Sequence, residues 1–168
     1  MTDIIKNPRI SDSDIMSLVE LMFFAYRDFV SGPDELLESL EFGRAHHRVL
    51  HFIGREPGMT VAQLLDILKI TKQSLSRVLK ELIDNGYVYQ KEGDEDRRQR
   101  LLHLSSKGET LWRQLVEPQI SRFRQASDEL QGHTNPQYRE LLFHLINTDN
   151  RDEVRDRIER LSVIGGKD

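Results

Sequence analysis

The sequence has no cysteine among its 168 residues. That absence removes disulfides, thiolate metal sites, thiol nucleophiles and any cysteine-based redox switch. Long apolar runs are missing too. The longest, LMFFAY at 21–26, falls far short of the ~20 residues that a membrane-spanning helix needs. The opening segment MTDIIKNPRISDSD lacks the cationic and apolar pattern of a signal peptide, so the expectation is a cytoplasmic protein with no membrane partner. No nucleophile paired with a base, no phosphate-cradling glycine loop and no metal-ligand set stands out. The expectation is therefore a protein that is not an enzyme and holds no cofactor.

What is present is enough for one domain with added helices: 38% hydrophobic residues for a core and 31% charged residues for the surface. The net charge of −4 is unevenly spread. Residues 43–107 hold 12 Lys and Arg against 8 acids, a local +4 that leaves −8 for the flanks. A basic centre between acidic ends fits a binding domain set in a separate scaffold.

Apolar positions at helical spacing predict a helix over 12–30, with Leu21, Phe23, Phe24 and Ala25 filling further faces. A helix apolar nearly all round has to be covered on several sides, by its own domain or by a partner chain. SGP at 31–33 is expected to break it, and a second helix is expected from about 34 to 55. In that helix Phe42, Ala45, His46, Val49, Phe52 and Ile53 share one face, and Arg44, His47, Arg48 and His51 share the other.

Two short helices follow. TVAQ at 60–63 is a capping box, and Thr71 is the next N-cap after the tight link KIT. The helix KQSLSRVLKELIDNG buries Leu75, Val78, Leu79, Leu82 and Ile83. Its other face carries Lys72, Gln73, Ser74, Ser76, Arg77 and Lys80. YVYQKEGDEDRRQRLLHLS reads as a β-hairpin with arms at 87–91 and 99–104. SKGE then offers another capping box, and a long helix runs to about residue 131 with a bend expected at Pro118. HTNP interrupts it, and apolar residues from Tyr138 to Leu161 supply the last helical segments.

Short helix, tight turn, helix and hairpin make a winged helix-turn-helix. Major-groove readout needs a helix with one packed face and one polar face whose side chains reach base edges. The segment 71–85 meets that requirement, and its N-terminus also favours phosphate.

At this point the chain resembles the MarR-type transcriptional regulators. The resemblance is carried by MTVAQLLDILKITKQSLSRVLKELIDNGYV at 59–88 and by the wing DEDRRQRLLHLSSKG at 94–108, with its Asp-x-Arg, strand and Ser-x-x-Gly. It implies a mainly α fold with a small β-hairpin wing, in which a winged helix-turn-helix domain (43–108) joins a helical dimerisation scaffold (1–42 and 109–168). It further implies a homodimer on a pseudo-palindromic double-stranded DNA operator, with 71–85 in the major groove and the wing 91–100 in the minor groove. The residues expected at DNA are Thr60, Thr71, Lys72, Gln73, Ser74, Ser76, Arg77, Lys80, Asp96, Arg97, Arg98 and Arg100. Asp96 is expected to hold the Arg98 guanidinium extended before binding, saving rotamer entropy, and a narrow minor groove would attract it. The resemblance also implies a ligand-responsive regulator, a repressor in the first reading and an activator in the alternative.

A cleft for a small anionic or phenolic ligand is sought among Tyr26, Arg44, His46, His47, Arg48 and His51. The spacing of His47 and His51 would let them share a metal, but no third ligand can be picked out, so no metal is expected. His46 is expected to be a hydrogen-bonded core residue. The reading from a different class is a winged-helix module that binds protein. It requires an acidic or apolar face where Lys72, Gln73 and Arg77 stand.

Overall fold

A computed structural model describes residues 10–93, 96, 98–130 and 136–165. Among the described residues seven α-helices and three strands follow in the order α1 (Asp12–Glu38), α2 (Arg44–Arg55), β1 (Met59–Thr60), α3 (Val61–Leu68), α4 (Lys72–Asp84), β2 (Val88–Glu92), β3 (Arg100–Leu104), α5 (Ser106–Glu129), α6 (Pro136–His144) and α7 (Arg151–Gly165), with a 3-10 turn at Thr148–Asn150 before α7. The strands form one antiparallel sheet in the order β1-β3-β2. β1 was not anticipated. At two residues it is too short to show alternation, and it forms because Gly58 donates to the Leu102 carbonyl and Met59 pairs with Leu102.

The core lies where α2, α3, α4 and the sheet meet. Leu50, Ile53, Leu64, Leu75, Leu82 and Leu102 have no exposed surface, and each such side chain contributes on the order of 2 kcal/mol by burial. Four helix starts among the described residues are capped by side chains, α1 by Ser11, which accepts from the Asp14 amide. Thr60 accepts from the Gln63 amide while Gln63 Oε1 accepts from the Thr60 amide at 2.8 Å. Thr71 Oγ1 accepts from the Ser74 amide, and Ser105 Oγ accepts from the Gly108 amide. The last cap sits one residue before the expected SKGE box, because Ser105 Oγ also donates to the Gly86 carbonyl at 2.6 Å.

Two expectations are corrected. The SGP segment does not break α1, which continues through Pro33 to Glu38. Proline removes only one ladder bond, Pro33 is buried, and Ser31 Oγ donates to the Asp28 carbonyl in the turn beside it. The chain turns instead at 39–43, with Glu41 in the left-handed region, and the second helix starts only at Arg44. α5 likewise passes through Pro118 as one helix, and a Cβ on Gly32 of α1 would lie 3.7 Å from the Pro118 Cβ. The second correction concerns α2. Its buried residues are His46, His47, Val49, Leu50 and Ile53, so His47 is not on an outward face. The helix is covered on two sides, by α1 and α5 and by α4 and β3, and a single amphipathic stripe does not describe it.

The N-terminal half of α1 is uncovered. Met16, Leu21, Phe23 and Phe24 are all more than half exposed, with Phe23 at 71%. Phe123 of α5 and Leu145 beyond α6 are also more than half exposed. No helix among the described residues is long and apolar enough to cross a membrane.

Candidate nucleic-acid interface

α4 presents Lys72, Gln73, Ser74, Ser76, Arg77 and Lys80 to solvent while Leu75, Val78, Leu79 and Leu82 pack inward. The division follows the 3.6-residue period. The polar side chains are not equivalent. Arg77 lies 3.8 Å from Glu81 and is 79% exposed, leaving it free to extend. Lys80 pairs with Asp84 one turn on, and that pairing raises the Lys80 pKa through the hydrogen bond first and charge second. The Thr71 hydroxyl donates to Ser74 Oγ at 2.9 Å while capping the helix, and Thr60 is held by Gln63. Both threonines therefore serve the helix starts first. Lys80 and Ser76 also border an open groove of about 300 Å³ that reaches Gln90 of β2.

The wing is built from backbone constraints. Glu92 faces Arg100 across the ladder, and Arg100 Nη1 donates to Glu92 Oε1 at 3.0 Å. Gly93 donates to the Gln99 carbonyl, and Gln99 donates to the Asp96 carbonyl. A Cβ on Gly93 would come within 2.7 Å of that Asp96 oxygen, so the tip needs glycine there. Asp96 Oδ1 accepts from the Arg98 backbone amide at 2.9 Å. The expected brace is thus corrected: the carboxylate fixes the Arg98 main chain in an Asx-type turn rather than holding its guanidinium. Among the described residues that guanidinium makes no ion pair, and Arg98 is exposed. Arg97 lies outside the described residues.

The six residues considered for an effector cleft do not converge. Gly43 donates its amide to His46 Nδ1 at 3.1 Å, which makes Nε2 the protonated nitrogen that donates to Glu81 Oε2 at 2.6 Å. His46 therefore ties α2 to α4, the hydrogen-bonded core role expected of it. Arg48 donates to the Leu68 carbonyl at 3.0 Å. Arg44 pairs with Asp34 and lies over the Tyr26 ring. His51 turns the other way, into a cavity of about 420 Å³ with Phe29, Val116, Gln119, Ile120 and Phe123. Burial lowers its pKa to about 4, helped by charge repulsion from His47 and Arg55. His47 is lowered by burial but partly restored by Asp34. Tyr26 lines a separate apolar cavity of about 250 Å³ with Phe29, Phe123 and Tyr138. No group of three His, Asp or Glu side chains among the described residues is placed to hold a metal.

Glu81 was not singled out from the sequence. Its spacing four residues after Arg77 was a legible signal for one contact. Its bond to His46, 35 residues away, was not.

Comparison with known proteins points one way. The family model for the MarR family matches residues 41–99. A curated relative, the HTH-type transcriptional regulator PetP of Rhodobacter capsulatus, is 50% identical over 117 residues, 70% of each chain. Among solved structures, Streptococcus pneumoniae FabT in complex with DNA aligns with a TM-score of 0.59 at 21% identity, over 85% of this chain and 99% of that one. A mutant MarR from E. coli complexed with operator DNA aligns with a TM-score of 0.53 at 22% identity, over 79% and 94%. At that identity the two structures speak for the winged-helix fold.

Proposed function

The chain belongs to the MarR family of transcriptional regulators, and from that premise we propose how it engages DNA. Two copies bind a pseudo-palindromic duplex, each laying the exposed face of α4 in a major groove and the wing tip in the neighbouring minor groove. Lys72, Gln73, Ser76 and Arg77 face base edges and phosphates. Arg98 enters the minor groove from a turn held by Asp96. The family is of a kind not normally enzymatic, and the chain acts as a repressor that responds to a small ligand.

The observation that carries the reading is the pairing of an acid-free outer face on the first two turns of α4 with an exposed Arg98 whose backbone is already ordered. Ordering the turn before binding removes part of the entropy that a flexible arginine would lose. The dimer is supported by the uncovered apolar surface of α1, α5 and α6, which is larger than a lone soluble chain usually exposes. For the ligand, a phenolic or apolar aromatic molecule suits the structure better than an anion. Arg44 and Arg48 are already engaged, and the cavity beside His51 is mainly apolar, with Gln119, Ser127 and an Arg124 already paired with Glu117 at its wall.

The test is a gel shift on a duplex that the wild-type protein selects from a random pool. Arg98→Ala should weaken binding about tenfold or more and reduce the salt slope by about one. Asp96→Ala should weaken it less, because the arginine survives and only its turn is loosened. Binding that is insensitive to both salt and Arg98→Ala would sink the proposal.

A further inference from the structure

We infer that α7 is a strut that positions the DNA-reading lobe, through an ion network centred on Glu56 and Arg157. The inference rests on the DNA-binding reading above and adds the device that sets the attitude of α3 and α4.

The contacts span the chain. Arg157 Nη1 lies 2.7 Å from both carboxylate oxygens of Glu56, 101 residues away. Arg160 adds a third contact to Glu56 at 3.4 Å. Arg157 also approaches Glu153 at 3.9 Å, and Glu153 reaches Lys69 at 4.0 Å. Lys69 in turn holds Asp66 at 2.8 Å. Most surface ion pairs contribute little, but the central pair here is largely withdrawn from water, with Arg157 16% and Glu56 17% exposed. Leaving one member of such a pair without the other is costly, so the two are expected to act as a unit.

The anchoring points decide what the strut controls. Glu56 is the cap residue at the end of α2, and two residues later Gly58 bonds to Leu102 of the wing sheet. Lys69 is the left-handed residue that ends α3 and begins the turn into α4. α7 therefore contacts the two joints that flank α3, one leading into the wing sheet and one leading into the recognition helix. At its other end α7 is tied to α6. Arg151 donates to the carbonyls of Ile146 at 2.9 Å and His144 at 2.7 Å, locking the corner that joins α7 to α6. Mechanical continuity runs from α6, through that corner, to both joints of the helix-turn-helix. Glu56 and Arg157 are positioning residues: neither lies on the face offered to DNA.

The experiment uses the full chain and a duplex selected by the wild type, with Glu56→Gln, Arg157→Gln and the double variant compared at one salt concentration. Long-range electrostatics alone would make Glu56→Gln bind DNA more tightly, because it removes a negative charge from the protein. The strut demands the opposite: about tenfold weaker binding for each single variant, and for the double variant a loss no larger than that of one single. Equal or tighter binding by Glu56→Gln overturns the proposal, as does a double variant whose losses multiply. Should Glu56→Gln fail to fold by circular dichroism, Glu153→Gln, which also removes an acid, takes its place: weaker binding supports the strut and unchanged or tighter binding overturns it. A wild type that selects no duplex would instead remove the DNA-binding reading, and the strut's role with it.

Discussion

Gly108 lies so close to the carbonyl of Tyr87 that a Cβ built on it would sit 2.0 Å from that oxygen. The first turn of α5 is thereby pressed against the start of β2. Ser105 Oγ donates to the Gly86 carbonyl beside it, and Lys107 donates to the Asn85 carbonyl while lying over the Tyr87 ring at 4.1 Å. The serine, lysine and glycine of the SSKG segment are one joint, which fastens the wing to the scaffold.

Gly108→Ala is expected to cost ~3 kcal/mol or more, since the clash is with main chain that has no other place to go. Gly86→Ala is the control. Its φ of +73° strains an alanine, but nothing lies within 4 Å, so a loss of ~1 kcal/mol is expected. Urea denaturation of the two variants measures the difference. A Gly108→Ala protein as stable as the wild type would show that the two elements are not pressed together.

The same joint marks how far the amino-acid pattern could be read. Periodicity and caps were enough for α3, α4 and the hairpin, because each is built from local rules: Thr60 with Gln63, Thr71 with Ser74, and Leu75 to Leu82 on one face. They failed where tertiary contacts outweigh local ones. Pro33 looked like a stop, but its burial keeps α1 helical to Glu38. His47 looked outward, but α2 is covered on both sides. At the candidate interface, which residues of α4 face outward was legible from their spacing. The competition among them was only partly so: Lys80 with Asp84 is an i,i+4 pair, whereas Arg157 with Glu56 joins residues that no spacing rule connects.

That competition yields a gain-of-function expectation. Asp84 holds the ammonium of Lys80 at the edge of the face offered to DNA. An exposed pair of this kind gives the fold little, while a released lysine adds a phosphate contact and one fewer acid repels the duplex. Asp84→Asn should therefore bind the selected duplex about threefold tighter, with the salt slope steeper by up to about one. Lys80→Ala made on top of Asp84→Asn should remove the gain. Fluorescence anisotropy across a salt series reads both numbers, and unchanged or weaker binding by Asp84→Asn would place Lys80 outside the contact.

Acid should loosen the protein well before its carboxylates titrate. His51 is kept neutral by burial, with His47 and Arg55 adding repulsion, so its pKa falls from 6.5 to about 4. An unfolded chain takes up this proton as pH drops through 6.5, whereas the folded chain refuses it until about 4. The stabilisation is thus complete above about pH 6.5 and is lost progressively as pH falls from there towards 4, at most on the order of 3 kcal/mol. His47, shifted in the same direction, adds to the slope. Chemical denaturation at steps from pH 7 to pH 4.5 should show the fall, and His51→Leu should flatten it without abolishing it. An equally steep fall in the variant would assign the effect to other groups.

The uncovered side chains of α1 carry the last expectation. Phe23 is 71% exposed and Leu21 62%, and a soluble chain that left such a surface in water would tend to associate. If a second copy covers this helix, each phenylalanine is removed from water in the dimer alone, and Phe23→Glu places a charge where no partner can solvate it. The variant should retain its helical circular dichroism, because Phe23 touches nothing that the protomer's core requires. It should sediment as a monomer at concentrations where the wild type is dimeric. Its hold on a two-half-site duplex should fall by at least about a hundredfold, since the second half-site no longer benefits from linkage to the first, while its weak binding to a single half-site should persist. A wild type that sediments as a monomer, or a Phe23→Glu variant that remains dimeric, would mean that α1 is covered by something other than a second copy of this chain.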